Sequence, residues 1–108
     1  MQRHTVKLQH SALLCAALVL ASLPVQASLA LVDKNACLNC HAEGKKLVGP
    51  SFNDIAAKYK DRKDASAYLS EKLIKGSSGV WGPVPMPAMP QLAADDVKTM
   101  VNWVLKRP

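Results

Sequence analysis

The sequence is short of most things a small chain could use to announce a function. It has no internal repeat and no low-complexity block. No segment alternates apolar and polar residues well enough to be a strand, which argues against a β fold. Its longest apolar run, Ala12 to Leu23, falls short of the roughly 20 residues that span a bilayer. Of three histidines only His41 lies beyond that run, and of three cysteines only Cys37 and Cys40 do. Three Cys and His ligands are one too few for a structural zinc site, so a carboxylate would have to complete one. A thioredoxin-like dithiol needs a βαβ context that is missing. Cys15 sits inside the apolar run after Leu14, which is too large for the residue before a lipoprotein cysteine, and Cys15 is set aside.

The start of the chain reads as an address. Arg3, His4 and Lys7 precede the apolar run, and Val25-Gln26-Ala27 offers residues suited to a signal peptidase. Residues 1–27 are therefore expected to be a cleaved secretory signal peptide and residues 28–108 a single domain, exported to the periplasm with no stable membrane insertion. The remaining 81 residues keep 12 Lys and Arg against all eight Asp and Glu, a formal charge of +4. For an exported chain this mild basicity suits an acidic protein patch rather than nucleic acid. So short a domain has little core and usually needs a staple.

That staple is written at Cys37-Leu38-Asn39-Cys40-His41. A C-x-x-C-H run is the attachment signature of a c-type haem, with two thiols taking up the porphyrin vinyls and the adjacent imidazole facing the iron. A plain Cys37–Cys40 disulfide would leave His41 unexplained. As a neutral imidazole, His41 would bind iron through one ring nitrogen and donate from the other to a backbone carbonyl.

The rest of the chain reads as short helices. Leu29, Val32 and Ala36, with Leu31 beside them, form an apolar stripe leading into the motif. Ser51 and Asp54 resemble a capping box before Phe52, Ile55, Ala56 and Tyr59. Asp64 is a candidate N-cap for a helix through Tyr68, Leu69, Lys72 and Leu73, stopped at Gly76. Val97, Met100, Val101, Val104 and Leu105 mark the last helix, with Asp95 and Asp96 in its first turn and Lys106 and Arg107 in its last. Between these lies Gly76 to Gln91, with three Gly, two Ser and four Pro, which excludes a regular helix or central strand. A long loop in a compact domain usually lines a ligand.

The second axial position is open to Met86, Met89 or Met100. Met100 lies on the apolar face of the last helix and suits core packing. Met86 and Met89 lie in the stiff, Pro-rich loop, where a weak Fe–S bond costs little chain entropy. Met86 is the first choice, Met89 the second and an open site the third. A thioether ligand would raise the reduction potential relative to two imidazoles.

Cys37 to His41, Val48-Gly49-Pro50, Gly76 to Pro87 and the closing Trp103-Val104-Leu105 together resemble the small bacterial class I cytochromes c of the c-551/c-552 type. The resemblance implies an all-α fold, a compact four- to five-helix arrangement around one covalently attached haem. It implies a monomeric one-electron carrier, not an enzyme, working between an upstream cytochrome complex and a terminal reductase or oxidase. It places Met86 as distal ligand, Pro50 as the carbonyl receiving the His41 N–H, Trp81 as the loop Trp that hydrogen-bonds a haem propionate, and Lys72 near the propionates. A haem edge ringed by several of Lys45, Lys46, Lys72 and Lys75 would dock on acidic patches of redox partners. The chain departs from the family at Met89, where an Asn that hydrogen-bonds the ligand sulfur is often found. The competing function is a haem enzyme or gas sensor with an open sixth coordination site.

Overall fold

The structure, a computed structural model, describes residues 23–108. Four helices follow one another: α1 (Leu23–Lys34), α2 (Phe52–Tyr59), α3 (Ala65–Lys75) and α4 (Ala94–Leu105). A single 3₁₀ turn at Cys37–Asn39 carries the motif. Among the described residues there is no strand, only two isolated antiparallel bridges, and no helix is long and apolar enough to cross a membrane.

α4 is the spine against which α1, α2 and α3 all pack. Its buried face is Val97, Met100, Val101 and Trp103. Trp103 therefore takes a core position that the i, i+3, i+4 pattern leaves out, while Val104 and Leu105 are only half-buried. Val32 from α1, Phe52 from α2, and Met100 and Trp103 from α4 form one cluster, with Leu31, Cys37, Ile55, Leu92 and Val104 against it. Dry packing of this kind contributes about 1.5–3 kcal/mol per large side chain, set against the chain entropy it must overcome.

The helix ends show which local signals act. Ser51 is fully buried and its hydroxyl accepts from the Asp54 N–H at 3.0 Å, the first half of the expected cap and worth about 1 kcal/mol. Asp64 stands at the N-cap of α3 but its carboxylate makes no capping bond. It is instead held by the Arg62 guanidinium, which draws its pKa below the usual carboxylate range. At the end of α4 no basic residue sits in the last turn. Lys106 is the C-cap, and Arg107 beyond it donates back to the Trp103 carbonyl at 3.2 Å.

α1 differs most from expectation. Its core-facing side chains are Ser28, Leu31 and Val32, whereas Leu29 is 44% exposed. The helix stops at Lys34, and Ala36 turns into the left-handed region (φ 60°), where its side chain is exposed. The helix stops short of Ala36, so of the predicted stripe Leu31 and Val32 face the core while Leu29 and Ala36 do not. The N-terminus of α1 also precedes the expected cleavage point at Ala27, and the rest of the expected signal peptide lies outside the described residues.

Candidate cofactor site

The left-handed turn at Ala36 redirects the chain out of α1, and the 3₁₀ turn that follows is closed by Cys40 N–H to the Cys37 carbonyl at 3.1 Å. The His41 N–H bonds the same carbonyl at 2.9 Å. One compact turn thus carries both thiols and the imidazole. The thiols are free and half-buried, and burial pushes the Cys37 thiol up from its ordinary pKa. A non-glycine in the left-handed region costs about 1–2 kcal/mol, so the surrounding fold enforces the redirection.

His41 is buried and held on three sides. Its Nδ1 lies 2.6 Å from the Pro50 carbonyl. That oxygen can only accept, so Nδ1 carries the proton and, in the neutral imidazole, Nε2 keeps its lone pair. Phe52 lies alongside the ring, with centroids 5.3 Å apart and planes 25° from parallel. Gly49 touches it so closely that a Cβ there would come within 2.6 Å of Cε1. Three backbone bonds close the intervening loop: Gly49 N–H to the Cys40 carbonyl at 2.8 Å, Phe52 N–H to Ala42 at 2.9 Å and Asn53 N–H to Glu43 at 2.9 Å.

The Pro-rich segment forms the opposite wall. Ser77 and Met86 exchange both backbone hydrogen bonds, at 3.1 and 2.7 Å, so residues 77–86 make a wide hairpin rather than a slack loop. Gly76, at φ 78°, lets α3 end directly beside it; a Cβ there would meet the Met86 carbonyl at 2.7 Å. Met89 is tied by its N–H to the Leu73 carbonyl at 2.9 Å.

Between these walls lie two adjoining cavities of about 210 and 90 Å³. They share His41, Ile55, Leu69, Lys72 and Met86, so they are two lobes of one slot. Cys40 lines the larger lobe and Cys37 the smaller. Met89 lines neither. Met100 borders the smaller lobe from the core, its sulfur facing the Asn35 amide N–H₂ at 3.9 Å. Two thiols, an imidazole with a free Nε2, a thioether, and otherwise mostly apolar and proline walls form a donor set that fits a flat, covalently held haem.

Lys72 and Trp81 both stand on the slot. The Lys72 ammonium lies 5.0 Å from the Tyr68 ring centroid, and Trp81, 37% exposed, meets Tyr59 edge-on at 6.3 Å. Lys58 caps Trp81 at 5.1 Å, and burial, with Tyr68 beside it, pushes the Tyr59 phenol upward. Of the four lysines expected at the rim, Lys46 and Lys72 line the slot, while Lys45 does not and Lys75 pairs with Glu71 at 3.3 Å. The mouth is instead largely apolar. Val48, Val80 and Val84 line it with their side chains substantially in solvent, Val84 at 59%. The sequence marked Val48, Gly49, Val80 and Val84 only as parts of the resemblance and Phe52 only as a helix residue, without their roles here, and did not mark Lys58.

Comparison with known proteins bears on the same residues. A family model described as cytochrome c matches residues 26–108. A cytochrome c-552 of Nitrosomonas europaea is 48% identical over 80 residues, covering 74% of this chain and 78% of that protein. A cytochrome c-551 of Pseudomonas aeruginosa is 42% identical over 78 residues, 71% of this chain and 73% of that one. The crystal structure of wild-type Nitrosomonas europaea cytochrome c552 superposes with a TM-score of 0.71 at 45% identity, covering 74% of this chain and 99% of the other.

Proposed function

Because this chain belongs to the cytochrome c family, we propose that it is a periplasmic one-electron carrier in which His41 and Met86 ligate the iron of one haem c. The haem c itself, attached through Cys37 and Cys40, and a role in electron transport come with the family. Bound haem supplies a one-electron Fe(III)/Fe(II) couple. Cys37 and Cys40 tether it from one turn, so it cannot leave the slot on either side of the cycle. His41 presents Nε2, its tautomer set by the Pro50 carbonyl.

The observation that carries the reading is the placement of Met86. It lines both lobes of the slot together with His41, on a backbone pinned by two hydrogen bonds. Met89 lines neither lobe and is bonded through its backbone to α3, and Met100 belongs to the core. A closed pair of axial donors leaves no position at which a substrate could react, which favours a carrier over an enzyme. Trp81, Lys58 and Lys72 are suited to the propionate edge, where N–H and ammonium groups would offset carboxylate charge. Residues 1–27 are proposed as the export signal.

The test is spectroscopic. The ferric holoprotein is expected to show the red sulfur-to-iron charge-transfer band, and the native ferrous form to bind no carbon monoxide. Absence of the band together with rapid carbon monoxide binding would sink the carrier reading. The acidic partner is tested separately. Lys46, Lys58 and Lys72 around an apolar rim should steer encounter, so the electron-transfer rate with a physiological partner falls as ionic strength rises. A salt-independent rate would remove that role from the lysines.

A further inference from the structure

The proximal imidazole is held by more than its hydrogen bond. A hydrogen bond from Nδ1 fixes one atom of the ring, but small changes in the side chain's own torsions can still tilt the ring plane about that point. In this structure a planar side chain removes that freedom. Phe52 is buried and near-parallel to His41, at 5.3 Å and 25°. The phenyl ring is braced in turn: Trp103 meets it edge-on at 5.2 Å and 79°. Arg107 lies over the Trp103 ring at 4.2 Å and reaches Glu43, two residues past His41, at 3.3 Å. The stack therefore leaves His41 and closes back on the His41 loop. Its backbone is fixed as well, because Phe52 follows the Ser51 cap and its own N–H bonds the Ala42 carbonyl.

We propose that Phe52 is a positioning residue for electron transfer, fixing the rotational setting of the His41 ring through the offset stacking of the two rings, with Trp103 holding Phe52 in place. This rests on the reading that His41 ligates the iron. Ring orientation matters because an axial imidazole mixes unevenly with the iron orbitals, so its plane dictates how unpaired spin is shared among the haem edges. A ring that swings averages that asymmetry away.

The experiment is proton NMR of the ferric holoprotein, reading the spread of the four haem-methyl resonances. Phe52→Tyr keeps the stacked ring and should keep the wild-type spread. Phe52→Leu and Phe52→Met remove the planar face and should contract the spread, with the charge-transfer band retained. Val97→Ala, a core truncation away from the slot, serves as the stability control and should lower the melting temperature without contracting the spread. Wild-type spread in both the Leu and Met variants would overturn the proposal, as would an equal contraction in Val97→Ala. Using two non-aromatic variants covers the case where one does not fold. Failure of the underlying reading looks different: the His41 ring protons of the wild-type ferric protein would then sit in the diamagnetic range, before any substitution is made.

Discussion

Met86→Ala is expected to abolish the sulfur-to-iron charge-transfer band, to let carbon monoxide bind the ferrous protein, and to lower the reduction potential. The drop should take a sizeable part of the roughly 0.8 V that axial-ligand identity spans across haem proteins. The argument is one of reach. Met86 borders both lobes of the slot, and its backbone exchanges two hydrogen bonds with Ser77, so truncating its side chain leaves the hairpin in place and the sixth position open. No other thioether is set to replace it. Moving Met89 into the slot would break its N–H bond to the Leu73 carbonyl, and moving Met100 would open the core cluster. A soft sulfur favours the ferrous state; water or an empty position does not. Met89→Ala made in parallel should keep the band and bind no carbon monoxide. Survival of the band in Met86→Ala would pass the ligand role elsewhere.

The second large effect is expected at a residue with no side chain. In Gly49→Ala the new Cβ would lie 2.6 Å from His41 Cε1 and 3.0 Å from Nδ1, closer than atoms tolerate. Neither partner can yield easily. The ring is blocked by Phe52 and held by Pro50, and the Gly49 N–H is bonded to the Cys40 carbonyl at 2.8 Å. Relief therefore has to come from tilting the imidazole or lifting the loop. Overpacking of this kind costs about 1–3 kcal/mol, and here breaking either of two hydrogen bonds adds about 1 kcal/mol more. For a domain of this size that corresponds to a fall of at least roughly 10 °C in melting temperature. Calorimetry of the ferric holoprotein checks it, and a change of less than a few degrees would show that the imidazole is not clamped as described.

How much of this could be read from the chain depends on whether the information is local. Cys37, Cys40 and His41 were legible because their spacing is their geometry: one tight turn brings them together whatever the remainder does. Met86 was legible as a candidate, short of a unique choice, because proline-flanked backbone is recognisable without knowing what it faces. Gly49 and Phe52 were not. Their work depends on a loop folding back until residues 49 and 52 flank residue 41, and three backbone bonds that no propensity encodes achieve it. Asp64 was placed correctly at the N-cap of α3, but its side chain does not cap, for a different reason. Its carboxylate had two local options, a backbone cap or the Arg62 guanidinium, and the charge-assisted bond won. Of the lysines expected at the edge, Lys46 and Lys72 line the slot beside solvent-facing valines, because composition reports charge without saying where it collects.

The Ser77–Met86 bridge has one more consequence. It divides the hairpin into a base, which carries the thioether, and a tip of eight residues that touches the outside world. Beyond the bridge a single further backbone bond, Gly79 N–H to the Gly82 carbonyl, closes the turn, and a Cβ at either glycine would meet nothing within 4 Å. Residues 78–85 thus have two sides: Val80 and Val84 stand in solvent, while the same stretch, Trp81 included, walls the slot. A change at either valine would alter the outward face without touching the two bonds that pin Met86.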